Sequence, residues 1–138
     1  DLAALSIDVR AAKGFLRERS EVVPARIGIA GASVGANVAL LDAAEDPGVL
    51  SVALLSPGLV YRGLGTEAAI KKYAVSLALL AGSTKDLYAW RSMRQLSTIG
   101  PGTREVRLTD AVAHGTVLLS RDPELIGVLV DWCRRTLL

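Results

Sequence analysis

The sequence predicts an α/β fold: a parallel sheet with helices on both faces, formed by one domain over residues 1–138. Three observations point there. Short apolar runs of strand length alternate with amphipathic stretches of helical period along the chain. The strand-like runs are continuously apolar rather than alternating, as in strands covered on both sides. The segment 26–40 reads as a strand, a turn crowded with small residues and a helix, which is the unit from which such sheets are wound.

The elements follow in order. Leu2, Leu5, Val9, Ala12 and Leu16 recur in steps of three and four and make one face of a helix over 2–19, with Asp8, Arg10, Lys13, Arg17 and Arg19 falling elsewhere as its expected solvated side. Pro24 closes that connection. A first strand is expected at 26–30, and the helix after it runs from Val34 to about Asp46, where Pro47-Gly48 stops it. A second strand is expected at Val49–Leu55, ended by Ser56-Pro57-Gly58. A loop containing Tyr61, Gly63 and Gly65 leads to a short helix capped by Thr66 and reaching Tyr73. The third strand is Val75–Ala81, followed by the loop 82–86 and a helix at Leu87–Leu96. Gly100-Pro101-Gly102 turns the chain into a fourth strand, Arg104–Leu108. After the loop 110–115, the last helix starts near Asp122-Pro123, the acid as cap and the proline at the first helical position.

Totals narrow the function classes. With 16 basic and 14 acidic residues the net charge is +2, which makes no electrostatic case for nucleic acid. The apolar runs are far shorter than the roughly 20 residues of a membrane span. The single cysteine, Cys133, excludes an internal disulfide and leaves the compartment open, the cytoplasm slightly favoured. One histidine and one cysteine make no usual zinc site, so neither metal nor cofactor is implied. The chain begins with Asp1 rather than Met, so it was processed or is a piece of a longer one.

The informative residues are those just after each strand, because in wound parallel sheets function gathers at the carboxyl ends of the strands. Ser33 stands in Gly31-Ala32-Ser33-Val34-Gly35, the Gly-x-Ser-x-Gly pattern of a nucleophile elbow, with the strand before and helix after that the pattern requires. Glycine at 31 and 35 removes side chains that would collide with neighbouring backbone, and the N-terminus of the following helix favours a developing oxyanion beside Ser33. Two other glycine-rich turns are excluded. A dinucleotide fingerprint would need glycine where Ser33 and Ala36 stand, and no lysine occurs between Lys13 and Lys71 for a P-loop.

His114, the only histidine, lies in the loop after the last strand, where an imidazole can take the proton of a serine hydroxyl. A surface histidine with no task is the alternative. Asp86, after the third strand, would accept the imidazole N–H and stabilise the imidazolium; it would equally serve as the cap of the helix at Leu87. Asp110 is a rival acid, but it precedes His114 on the same connection.

The chain order Ser33, Asp86, His114 is that of α/β-hydrolases. Together with Gly-Ala-Ser-Val-Gly-Ala-Asn at 31–37, Leu-Ser-Pro-Gly-Leu at 55–59 with Tyr61-Arg62-Gly63, Asp86-Leu87-Tyr88-Ala89 and His114-Gly115-Thr116, it resembles the C-terminal part of an α/β-hydrolase, most similar to the esterase and dienelactone-hydrolase-like branch. The resemblance implies the α/β-hydrolase fold without its N-terminal strands. It also implies a serine hydrolase of carboxylic esters or related small acyl substrates, acting through an acyl-enzyme. Ser33 would be the nucleophile, His114 the base, Asp86 the orienting acid and Val34 N–H one oxyanion donor, while Tyr61 would line the acyl pocket or simply pack. The second oxyanion donor belongs to the family's N-terminal half, and an open sheet edge beside the first strand would invite self-association. An acyltransferase on the same residues, or a catalytically silent binding or assembly module of the same fold, remains open.

Overall fold

A computed structural model of the chain describes residues 2–73 and 77–138. Helix α1 (Leu2–Arg17) leads to strand β1 (Ile27–Ala32), helix α2 (Val34–Glu45) and strand β2 (Val49–Leu55). The two-residue strands β3 (Val60–Tyr61) and β4 (Leu64–Gly65), helix α3 (Glu67–Lys72) and strand β5 (Leu77–Ser83) follow. Helix α4 (Leu87–Leu96), strand β6 (Arg104–Thr109), and helices α5 (Val117–Arg121) and α6 (Glu124–Leu137) complete the order.

The main sheet has the order β1-β2-β5-β6, all neighbours parallel. Its two central strands are buried on both faces, and the pleat sorts their side chains. Val52 and Leu54 of β2 and Ala78 and Leu80 of β5 join Leu40 of α2, Ile70 of α3, and Met93 and Leu96 of α4. Ala53 and Leu79 meet Trp132 of α6 on the other face, where Leu55 and Ala81 pack with Leu118 of α5 and Leu125 of α6. This two-sided burial is why β2 and β5 read as unbroken apolar runs.

Several elements depart from the sequence expectation, each for a local reason. β1 ends at Ala32 rather than at 30, because Gly31 and Ala32 still pair with Leu54 and Leu55. β5 likewise runs on to Ser83, with Gly82 and Ser83 opposite Leu108 and Thr109; the expected start at Val75 and Ser76 lies outside the described residues. Thr66 precedes α3 but makes no side-chain cap; its hydroxyl donates to the carbonyls of Gly58 and Leu59 instead. Pro123, not Asp122, occupies the N-cap of α6. The loop expected around Tyr61 contains a hairpin, β3–β4, whose Arg62 and Gly63 have φ of 47° and 83°. Two consecutive positive φ values make the type I′ turn suited to a two-residue connection.

The two edges of the sheet differ. β6 carries Arg104, Glu105 and Arg107, charges that blunt an edge against foreign strands. β1, with the sequence Ile-Gly-Ile-Ala-Gly-Ala, carries none.

α1 is held to α2 by a buried ionic cluster. Lys13, expected on the solvated side, is instead 4% exposed, because it pairs with Asp42 and lies 2.6 Å from Asp46, which also receives Arg17 at 3.0 Å. Partial burial pushes the Asp46 carboxyl upward, but Lys13, the Gly48 N–H and Arg17 outweigh it and leave the group at about 2. A carboxyl lowered in the folded state stabilises above its ordinary pKa near 3.8, and that contribution is lost as pH falls towards 2. Lys13→Met should therefore lower stability at neutral pH by about 3–5 kcal/mol, since it strands buried Asp42. It should also flatten the acid limb of the stability profile. Denaturant melts between pH 2 and 7 check both.

Candidate active site

Ser33 is built into the site by backbone. It sits between β1 and α2 with φ 55° and ψ −125°, a conformation costly for a residue with a side chain. Its N–H donates to Leu55 O at 2.8 Å, and its carbonyl accepts from Ala36 N–H at 3.0 Å. The hydroxyl makes no cap to α2 and turns instead to His114. Gly31 is required here: a Cβ on it would stand 2.2 Å from the carbonyl oxygen of Gly35. Gly35 itself is a correction to the sequence reading. Among the described residues, nothing beyond its chain neighbours and its own helix backbone lies within 4 Å of where its Cβ would be. The motif needs Gly31 for space and is indifferent to Gly35 on that ground. Val34 opens α2, so its N–H has no partner within the helix and lies beside Ser33.

His114 comes from the loop after β6. Its Nε2 is 2.7 Å from Ser33 Oγ and its Nδ1 bonds Asp86 Oδ2. A carboxylate only accepts, so Nδ1 carries the proton and Nε2 is left as acceptor for the serine hydroxyl. Asp86 makes two contacts at once. Its Oδ1 caps α4 by accepting from Ala89 N–H at 3.3 Å, and its Oδ2 takes the imidazole. The cap fixes the carboxylate that His114 meets. Asp110, the rival acid, is exposed, and the bond of His114 goes to Asp86.

Tyr61, on the hairpin, stands edge-on to the His114 ring at 6.1 Å and tilted against Tyr88 at 5.5 Å. Its hydroxyl donates to Ser56 O at 3.2 Å. Burial, then the nearby charge of Asp86 and the neighbouring Tyr88, push its phenol up to about 12, so it stays a neutral donor across the working range. Gly58 admits the ring: a Cβ there would come within 2.7 Å of it. Tyr88 is a residue to which the sequence reading gave no role. Its hydroxyl accepts from Val60 N–H at 3.0 Å and donates to Val60 O at 2.9 Å, pinning the hairpin to the first turn of α4 beside Asp86. The available signal was an aromatic two residues after the acid.

Ser33, Asp86 and His114 meet at the carboxyl ends of β1, β5 and β6. Surface cavities of about 540 Å³ between β6 and α6 and about 430 Å³ among α1, α2 and α3 lie elsewhere, lined by neither Ser33 nor His114. Among the described residues no group of histidine, cysteine and carboxylates could hold a metal, and no helix is long and apolar enough to cross a membrane.

A parallel sheet of order β1-β2-β5-β6 with helices on both faces is an α/β-hydrolase-like fold, and solved structures share it. The chain is similar to a dienelactone hydrolase from Anabaena variabilis, with TM-score 0.81 and 18% identity over 100% of this chain and 62% of that one. It is similar to an esterase domain of a Rhodothermus marinus protein, with TM-score 0.74 and 22% identity over 94% and 68%. A thermostable carboxylesterase cloned from a metagenomic library matches with TM-score 0.61 and 16% identity over 93% and 60%. The chain thus spans about three fifths of the dienelactone hydrolase's length. No protein-family model and no curated protein matches the sequence.

Proposed function

We propose that this chain carries the catalytic residues of a serine hydrolase acting on carboxylic esters or related small acyl compounds. The observation that supports it most is the line Ser33 Oγ, His114 Nε2, His114 Nδ1, Asp86 Oδ2 on a strained elbow. Ser33 Oγ attacks the carbonyl carbon as His114 Nε2 takes its proton. Val34 N–H donates to the oxyanion that forms, and Asp86 stabilises the imidazolium. The imidazolium then gives its proton to the departing alkoxide as the ester C–O bond breaks, leaving an acyl group on Ser33. Water, deprotonated by His114, attacks that acyl group, and the acid leaves with Ser33 restored. In the full-length protein a fluorophosphonate should label Ser33 and no other serine. A protein left unlabelled by it would be the silent module instead.

Tyr61 forms one wall of this site in the proposal. Tyr61→Phe keeps the ring and should change KM little. Tyr61→Ala removes an apolar surface worth roughly 1–3 kcal/mol of binding, so KM for an aromatic ester should rise roughly tenfold or more. Steady-state kinetics on the pair checks it.

The uncharged edge at β1 supports a second expectation. Among the described residues no strand pairs with the outer side of β1, and a polypeptide of these 138 residues should self-associate through it. Size-exclusion chromatography checks it, and a monomer would refute it.

A further inference from the structure

The geometry points to Ser56 as a positioning residue for His114, acting through the amide of Gly115; this rests on the hydrolase reading above. Ser56 follows β2 directly, is 0% exposed and holds φ at 50°, left-handed backbone that a residue with a side chain adopts only when its surroundings impose it. Its N–H is committed to Ala81 O at 2.7 Å and its carbonyl to the Tyr61 hydroxyl. The side chain points elsewhere: Ser56 Oγ accepts the N–H of Gly115 at 2.9 Å, a buried bond across 59 residues of sequence.

That amide is the one next to His114. The His114 side chain is 46% exposed, so packing alone does not hold it. Gly115, with φ +60°, lies close enough to the elbow that a Cβ would stand 3.7 Å from Ser33 Cβ. The Ser56 hydroxyl therefore holds the backbone next to the histidine where it passes the elbow. The same residue's carbonyl holds the Tyr61 ring beside the imidazole. Ser56 touches no reacting atom; it sets where the imidazole stands.

Ser56→Ala leaves a buried N–H without an acceptor and frees the loop to drift. A misplacement near 1 Å can cost about 10²-fold, and that is the expected fall in kcat on p-nitrophenyl acetate, with KM unchanged. Ser56→Cys, of similar size and a weaker acceptor, should fall between. Ser51→Ala is the control: Ser51 is also buried, 2% exposed, but its hydroxyl pairs with Thr136 on α6, away from the site. It should leave kcat as it is. In the proton spectrum of the full-length protein, the low-field Nδ1–H signal of His114 should move or broaden in Ser56→Ala and stay put in Ser51→Ala. If Ser56→Ala fails to fold, the wild-type protein still decides, because the Gly115 amide should be protected from solvent exchange. A Ser56→Ala protein with kcat and His114 signal like those of Ser51→Ala, or a Gly115 amide that exchanges freely, overturns the inference. A His114→Ala protein with full kcat would instead overturn the hydrolase reading, and the spectroscopic arms would still judge Ser56.

Discussion

Ser33→Ala should abolish turnover, lowering kcat by about 10⁶-fold as nucleophile removal does in serine hydrolases of other folds, and should end phosphonate labelling. The size of the effect follows from the division of labour. Among the described residues His114 Nε2 bonds no other hydroxyl, so without Ser33 Oγ the imidazole would have only water to activate. Ser33→Gly separates chemistry from strain. Ser33 holds φ 55°, where glycine sits without penalty, so this variant should be as inactive as alanine yet more stable, by about 1 kcal/mol. Thermal melts of the two variants beside the wild type test that pairing. Residual labelling in either would show the nucleophile to be another group.

Asp86→Asn should lower kcat by about 10⁴-fold with little change in KM, while Asp110→Asn stays close to wild type. An amide at 86 can still cap α4 through its oxygen, so the fold survives. What it does not do is demand a proton on Nδ1. Its NH₂ can donate to Nδ1 instead, which moves the proton to Nε2 and faces Ser33 with a donor rather than an acceptor. Equal effects at 86 and 110, or the larger at 110, would reassign the acid. Rates at matched folded fraction, with melts as the check, make the comparison direct.

Much of this was legible in the sequence because it rests on strong local patterns. β2 and β5 are unbroken apolar stretches at strand length, and only two-sided burial explains such runs. Ser33 was marked by the small residues around it, and Asp86 and His114 by their place just after strands. What escaped notice lacks a period to read. β3 and β4 have two residues each, too few to alternate, and their sign is the Arg62-Gly63 pair at the turn. α5 spans a turn and a half and is set by packing of Leu118 rather than by propensity. The far ends of β1 and β5 run through Gly31 and Gly82, which read as loop by composition but pair because neighbouring strands supply partners. Thr66 and Asp122 are good caps by type. The first found better acceptors across the hairpin, and at the second Pro123 took the place.

The unequal crowding at the two elbow glycines bears on how sites of this kind are searched for. With backbone 2.2 Å from its missing side chain, Gly31 has no substitute short of rebuilding the turn. Gly35 has open space and lies inside a helix, where alanine is favoured by roughly 0.5–1 kcal/mol. A library randomised across 31–35 and selected for folding should return glycine alone at the first position and tolerate alanine at the last. The five-residue signature that advertises the nucleophile is then stricter than the physics behind it. By space alone, the requirement worth keeping is the glycine two places before the serine.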